Sequence, residues 1–110
     1  MKKISVVGFG KIGQAIVANM LKHGIHVVAV DINPALHSVF AQGAYESNED
    51  GLAESLNSGF ASGQLTVTSD FSMVKKSDAV IVAIPLLVDS QKNILDEPFL
   101  NCFRALAPHF

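Results

Sequence analysis

Three glycines stand in the run Gly8-Phe9-Gly10-Lys11-Ile12-Gly13, and Asp31 follows the last of them by eighteen residues. These residue types at this spacing suit the binding of a pyrophosphate and a ribose. Gly8 permits a tight turn, and Gly10 has no Cβ to hold a phosphate away from the backbone. Gly13 lets a helix lie close against a strand. The first N–H groups of that helix, those of Lys11 and Ile12 among them, attract an anion with the help of the helix dipole. Lys11 adds positive charge there, although a solvated lysine at a helix start is the plainer reading of it. A carboxylate at Asp31 can accept both hydroxyls of an adenine ribose and repels a 2′-phosphate, and neither Ile32 nor Asn33 is the arginine that would welcome one. The pattern therefore implies a dinucleotide, and NAD over NADP. The competing reading of Asp31 is a turn residue, or the cap of a helix starting at Pro34.

The flanking elements must place these groups together. Ile4, Val6 and Val7 form an apolar run that reads as a strand over about Lys3–Val7. A helix from about Gly10 to His23 carries Ile12, Ile16 and Met20, with Val17 and Leu21 beside them, as one apolar face, and Gly24 stops it. His26–Asp31 is a second strand. A short helix follows Pro34 with Leu36, Val39 and Phe40 inward, ending near Gln42-Gly43. Ala44 to Gly51 is polar and acidic and reads as a loop; Gly51–Leu56 reads as a second short helix. Gln64–Thr68 alternates like a strand, and Asp70 caps one or two helical turns through Lys75. Ala79–Ile84 is apolar throughout and reads as the most strongly buried strand, closed by Pro85. A long loop then leads to a helix opened by Asp96-Glu97-Pro98, with Phe99, Phe103 and Leu106 along one side.

This order implies an α/β fold of Rossmann type, a doubly wound parallel sheet with strand order 3-2-1-4. The ligand crevice lies where the order reverses, at the carboxyl ends of the first and fourth strands. It brings Gly8–Gly13 opposite Ala83, Ile84 and Pro85. A full dinucleotide fold has six strands, so residues 1–110 are expected to be an incomplete domain, truncated before strands 5 and 6, of a longer enzyme. The fourth strand is then an uncovered edge.

Composition narrows the partners. The 110 residues carry a formal net charge of −2, with 49% apolar and 16% charged residues. That balance suits one domain with both sheet faces covered and gives no electrostatic case for nucleic acid or anionic membrane. No run approaches the roughly 18 apolar residues a bilayer span needs. The four histidines are scattered, and no metal site is expected. One cysteine, Cys102, rules out an internal disulfide framework and fits a reducing cytoplasm.

Beyond the glycine turn, the run from Leu52 to Asp70 resembles the UDP-glucose/GDP-mannose dehydrogenase family, which shows a "GLxELLxxGxxxGRLxxTTD" stretch between its second and third strands. KISVVGFGKIG at Lys3–Gly13, HGIHVVAVDINP at His23–Pro34, KKSDAVIVAIP at Lys75–Pro85 and ALAPHF at Ala105–Phe110 are similar as well. The resemblance covers nearly the whole chain, and Gly51–Asp70 is its most specific part. It implies oxidation of the C6 alcohol of a nucleotide sugar to a carboxylate in two NAD-dependent steps. It also implies a central dimerising region, a homodimeric full-length enzyme, and downstream domains that supply most of the nucleotide-sugar pocket and all catalytic groups. Cys102 is then a small buried core residue and not the nucleophile.

The resemblance assigns the pyrophosphate to Gly8, Gly10, Lys11, Ile12 and Gly13, the adenosine ribose to Asp31 and the adenine side to Asn33. Ala83, Ile84 and Pro85 form the wall near the nicotinamide ribose. There are departures. Glu49-Asp50-Gly51-Leu52 stands where the family has Glu-Pro-Gly-Leu, and Leu86-Leu87 replace a Thr-Pro whose Thr contacts NAD. Leu36 occupies a position often held by Lys or Arg. The expected consequence is weaker NAD binding. Pro85–Asp89 tilts the reading slightly toward the branch that acts on UDP-N-acetylmannosamine. Two rivals stay open: the NAD-binding domain of a 3-hydroxyacid or 6-phosphogluconate type of dehydrogenase, and a non-catalytic NAD-sensing module of a potassium transporter. The second lacks the Gly43–Gly63 excursion.

Overall fold

Alternation along the strands decides which helices cover which face of the sheet. The computed structural model describes residues 2–43, 45–47, 49–84, 87–88, 91, 94–95 and 97–109. Strands β1 (Lys3–Val7), β2 (His26–Val30), β3 (Leu65–Thr68) and β4 (Ala79–Val82) pair in parallel in the order β3-β2-β1-β4. Val6 stands opposite Ala29 on one side and Ile81 on the other, and Val7 opposite Val30 and Val82. With a side-chain period of two, Val6, Val27, Ala29, Leu65 and Val67 point to one face. There they meet Val17, Leu21, Phe40, Leu52 and Leu56 of helices α1 (Lys11–Lys22), α2 (Ala35–Ala41) and α3 (Leu52–Ser62). Val7, Val28 and Val30 point to the other face, against Val74 of the 3₁₀ helix Phe71–Lys76 and against Cys102 and Leu106 of α4 (Glu97–Leu106). The expected doubly wound arrangement and strand order are what the chain adopts.

Among the described residues, the one buried polar side chain of this core, Ser5, is paired with the hydroxyl of Ser77 just before β4. Helix α1 ends as the sequence implies. Gly24 takes φ +76°, its N–H reaches Leu21 O at 3.1 Å, and the Ile25 N–H reaches Met20 O at 3.2 Å. Those paired bonds satisfy carbonyls that the helix leaves open.

Several expectations need correction. On α1, Val17 and Leu21 are buried beside Gly13 and Ala18, and Ile16 and Met20 pack against the same core, but Ile12 is 68% exposed. Gly13 must pass the Gly8 carbonyl so closely that it sets the rotational phase of the helix, and Ile12 is carried outward. Helix α3 runs through Ser62, well past Leu56, because Gly59 packs on Leu21 and ends nothing: a Cβ there would lie 2.7 Å from Leu21 Cδ1. β4 is only half-buried, with Ala79 exposed, because it is an edge of the described sheet. The stretch expected to be a long loop holds two short strands, β5 (Leu87–Val88) and β6 (Ile94–Leu95), paired antiparallel. On α4, Cys102 and Leu106 form the buried side, while Phe103 is 39% exposed.

Candidate functional site

The carboxyl ends of β2, β1 and β4 are joined tightly before their chains diverge. The Gly8 N–H donates to Val30 O at 2.8 Å, and the Ala83 N–H to Val7 O at 2.7 Å. Gly8 has φ +98°, and a Cβ on it would sit 2.7 Å from Ala83 O and 2.9 Å from Ile84 Cγ1. Both conformation and space exclude any other residue. A Cβ on Gly13 would lie 2.0 Å from Gly8 O, so α1 and the turn touch backbone to backbone. Gly10 differs: a Cβ there would meet nothing within 4 Å. Its side faces open space, which a bound group can enter.

Between these ends lies a cleft of about 530 Å³. Gly8, Gly10, Asp31, Ala83 and Ile84, all anticipated from the sequence, line it. Lys11, Ile12 and Gly13 stand outside the lining at the start of α1. The first backbone bond into that helix is Gln14 N–H to Gly10 O at 2.9 Å, so the N–H groups of residues 11 to 13 have no acceptor within it. Asn33 is also outside the lining, and Pro85 lies outside the described residues.

Asp31 is the one charged side chain in the described lining. Its Oδ2 accepts the Phe9 N–H at 2.7 Å, and its Oδ1 accepts the Asn33 N–H at 3.0 Å. The carboxylate is thereby anchored to the glycine turn and to its own turn at once. A carboxylate has about four acceptor positions, so capacity remains for two hydroxyls. The N-cap of α2 is Pro34, and the side chain that accepts the Ala35 N–H at the helix start, at 3.0 Å, is Asn33 through its Oδ1. That removes the capping alternative for Asp31.

The rest of the cleft comes from residues the motif does not contain. Val7 and Val30 form its floor, and Ile32, 79% exposed overall, forms part of its rim. Phe71, Asn101, Cys102 and Ala105 close the far side. They lie some 40 to 75 residues from Asp31 in sequence, and only the packing of the 3₁₀ helix and α4 brings them there. Cys102 is 5% exposed within the core, as expected of a structural residue. Burial pushes its thiol pKa up, and the nearby Asp31 carboxylate pushes it the same way. A neutral thiol is a poor nucleophile.

Tyr45, in the segment that reads as a loop, is packed. Its ring stacks on Phe40 at 4.6 Å, and its hydroxyl donates to Gln14 Oε1. Gln14 Nε2 in turn donates to Phe9 O at 3.0 Å. A lone tyrosine amid polar residues was the only signal in the sequence for this contact. Among the described residues, no group of three or more His, Cys, Asp and Glu is placed to hold a metal ion, and no helix is long and apolar enough to cross a membrane.

A parallel sheet with order 3-2-1-4, a glycine turn at the switch point and an acidic residue ending β2 define a dinucleotide-binding domain of Rossmann type. Residues 2–105 match the family model for the NAD binding domain of the UDP-glucose/GDP-mannose dehydrogenase family. The chain belongs to that family, and its cofactor is NAD. The open space at Gly10 and the spare acceptors of Asp31 fit that cofactor. The UDP-N-acetyl-D-mannosamine dehydrogenase of Methanococcus vannielii is 32% identical over 85 residues, 77% of this chain and 19% of the relative. The UDP-glucose 6-dehydrogenase of Haloferax volcanii is 32% identical over 83 residues, 76% of this chain and 19% of that protein. Among solved structures, the UDP-N-acetyl-mannosamine dehydrogenase of Staphylococcus aureus superposes with a TM-score of 0.81 at 28% identity, covering 99% of this chain and 26% of that one. The chain thus spans about a fifth of the length of the curated relatives it matches.

Proposed function

We propose that this chain is the cofactor-holding part of a nucleotide-sugar 6-dehydrogenase, which oxidises the sugar C6 alcohol to a carboxylate. The family match, with relatives that act on UDP-glucose and UDP-N-acetylmannosamine, supports this reading over the 3-hydroxyacid, 6-phosphogluconate and transporter alternatives. NAD, when bound, supplies the hydride acceptor. The chain's own residues hold it. The N–H groups of Gly10, Lys11, Ile12 and Gly13 face the pyrophosphate, and Gly8 and Gly13 keep the turn and helix close enough to present them. Asp31 accepts the adenosine ribose hydroxyls, Asn33 bounds the adenine side, and Ala83, Ile84 and Pro85 form the wall near the nicotinamide ribose.

The nucleotide-sugar pocket and the reacting groups belong, in this reading, to further domains of a longer, homodimeric, cytoplasmic enzyme. The observation that carries the proposal is the anchored Asp31 carboxylate facing the same cleft as Gly8 and Gly10. Calorimetry with NAD and NADP tests it. NAD is expected to bind at least about tenfold more tightly, because a 2′-phosphate would face an anchored carboxylate. A preference for NADP overturns the assignment of Asp31. The 110-residue chain is expected to form no NADH with any UDP-sugar, and an NADH signal would refute the division of labour between domains.

A further inference from the structure

Gln14 and Tyr45 stand outside the glycine motif, yet a continuous set of hydrogen bonds ties them to it. Gln14 uses both ends of its amide: Nε2 donates to Phe9 O at 3.0 Å, and Oε1 accepts from the Tyr45 hydroxyl. With both ends engaged, the amide has one orientation, and its donor end is committed to Phe9. Tyr45 is itself held from two sides. Its ring stacks on Phe40 at 4.6 Å, and its carbonyl accepts from Asn57 Nδ2 of α3 at 3.2 Å. Burial pushes the tyrosine pKa up; the hydrogen bond from Ser47 opposes this, and the Glu49 charge adds to it. The hydroxyl is therefore a donor throughout the neutral range.

Phe9 is where these contacts meet the cofactor cleft. Its N–H donates to Asp31 Oδ2 at 2.7 Å, and its carbonyl is held by Gln14. In a trans peptide the carbonyl and the following N–H point in opposite directions. Holding Phe9 O toward Gln14 thus sends the Gly10 N–H the other way. This matters because glycine follows: a peptide entering a glycine turns over at little steric cost, so the sequence alone does not keep that N–H in place. Turned over, the peptide would present a carbonyl oxygen to the pyrophosphate.

We propose that Gln14 and Tyr45 are positioning residues that lock the Phe9–Gly10 peptide with its N–H toward the cofactor, coupling the excursion between α2 and α3 to NAD binding. This rests on the cofactor reading above. Tyr45 acts through Gln14 and touches no ligand itself.

The test is calorimetric titration with NAD of the wild-type chain, Tyr45→Phe, Gln14→Leu and the double variant, alongside urea unfolding and the ¹⁵N–¹H resonance of Gly10. Tyr45→Phe keeps the ring and its stack. Each single substitution is expected to weaken NAD about 3- to 10-fold, the worth of one hydrogen bond. The double variant is expected to weaken it no more than Gln14→Leu alone, because the two side chains act in series. The Gly10 amide resonance is expected to move in every variant before any NAD is added. A merely structural role would shift the urea midpoint and leave both the affinity of the folded protein and that resonance unchanged. Wild-type affinity in the single variants, or effects that multiply in the double, overturns the proposal while the cofactor reading stands. Failure of the wild-type chain to bind NAD overturns both.

Discussion

Gly10 and Gly13 belong to the same motif, yet alanine at each is expected to fail for opposite reasons. At Gly13 the new methyl would lie 2.0 Å from Gly8 O and 3.1 Å from Gly8 C, against a normal carbon contact of about 3.5 Å. Relief requires α1 to move away by more than about 1 Å, against its packing on β2 and α3. Replacing glycine inside a helix returns about 1 kcal/mol in propensity. Overpacking against backbone costs about 3 kcal/mol or more where neither side can yield. Gly13→Ala is therefore expected to destabilise by about 2 kcal/mol or more. Gly10 has φ −83° and ψ −161°, ordinary extended backbone, and nothing lies within 4 Å of its added Cβ. Gly10→Ala is expected to change stability by less than about 0.5 kcal/mol. Its methyl would occupy the space proposed for the pyrophosphate, and NAD affinity is expected to fall more than about tenfold. Urea unfolding at constant m-value reads the first effect and calorimetry the second. A Gly13→Ala chain as stable as wild type would refute the close-approach argument. A stable Gly10→Ala chain with wild-type NAD affinity would refute the placement of the phosphates.

Two further outcomes follow from titratable groups. The exposed Asp70 carboxylate accepts from the Ser72 hydroxyl at 2.7 Å and the Ser72 N–H at 3.0 Å, which hold its pKa below the ordinary aspartate value of 3.8. Its folded pKa is depressed, so its contribution is present above the unfolded pKa and is lost as pH falls through the folded one. Asp70→Asn should therefore flatten the acid limb of a stability–pH curve below pH 4 and leave the curve's shape at neutral pH unchanged. Cys102 should react with Ellman's reagent far more slowly in the native chain at pH 8 than in urea, because burial keeps its thiol neutral and covered. Equal rates would mean that α4 does not stay packed on the sheet.

Much of the fold was legible because it follows from local patterns. The apolar runs at Lys3–Val7 and His26–Val30, the stop at Gly24 and the helix start after Pro34 depend on near neighbours, and the parallel order follows from connections of one hand. What failed depended on distant ones. On α1, Ile16, Met20, Val17 and Leu21 pack on the core as the periodicity implies, but Ile12 turns outward, because periodicity cannot see the Gly8 carbonyl that fixes the helix phase. β4 looked buried because its residues are apolar, whereas burial depends on what lies beside it. Gly59 gave no sign that Leu21 would fill its place and let α3 continue.

The same division runs through the site. The amino-acid sequence by itself determined the glycine turn and the acidic end of β2 and pointed to NAD, because each rests on residue type at short spacing. Only the tertiary structure decided what surrounds them: the cleft wall from Phe71, Asn101, Cys102 and Ala105, and the anchoring of Asp31 on Phe9. It also decided the Tyr45–Gln14 contact, which joins residues 31 positions apart. The physical reason is that backbone conformation is set largely by adjacent residues, while a cavity and its supporting hydrogen bonds exist only once separate elements have packed.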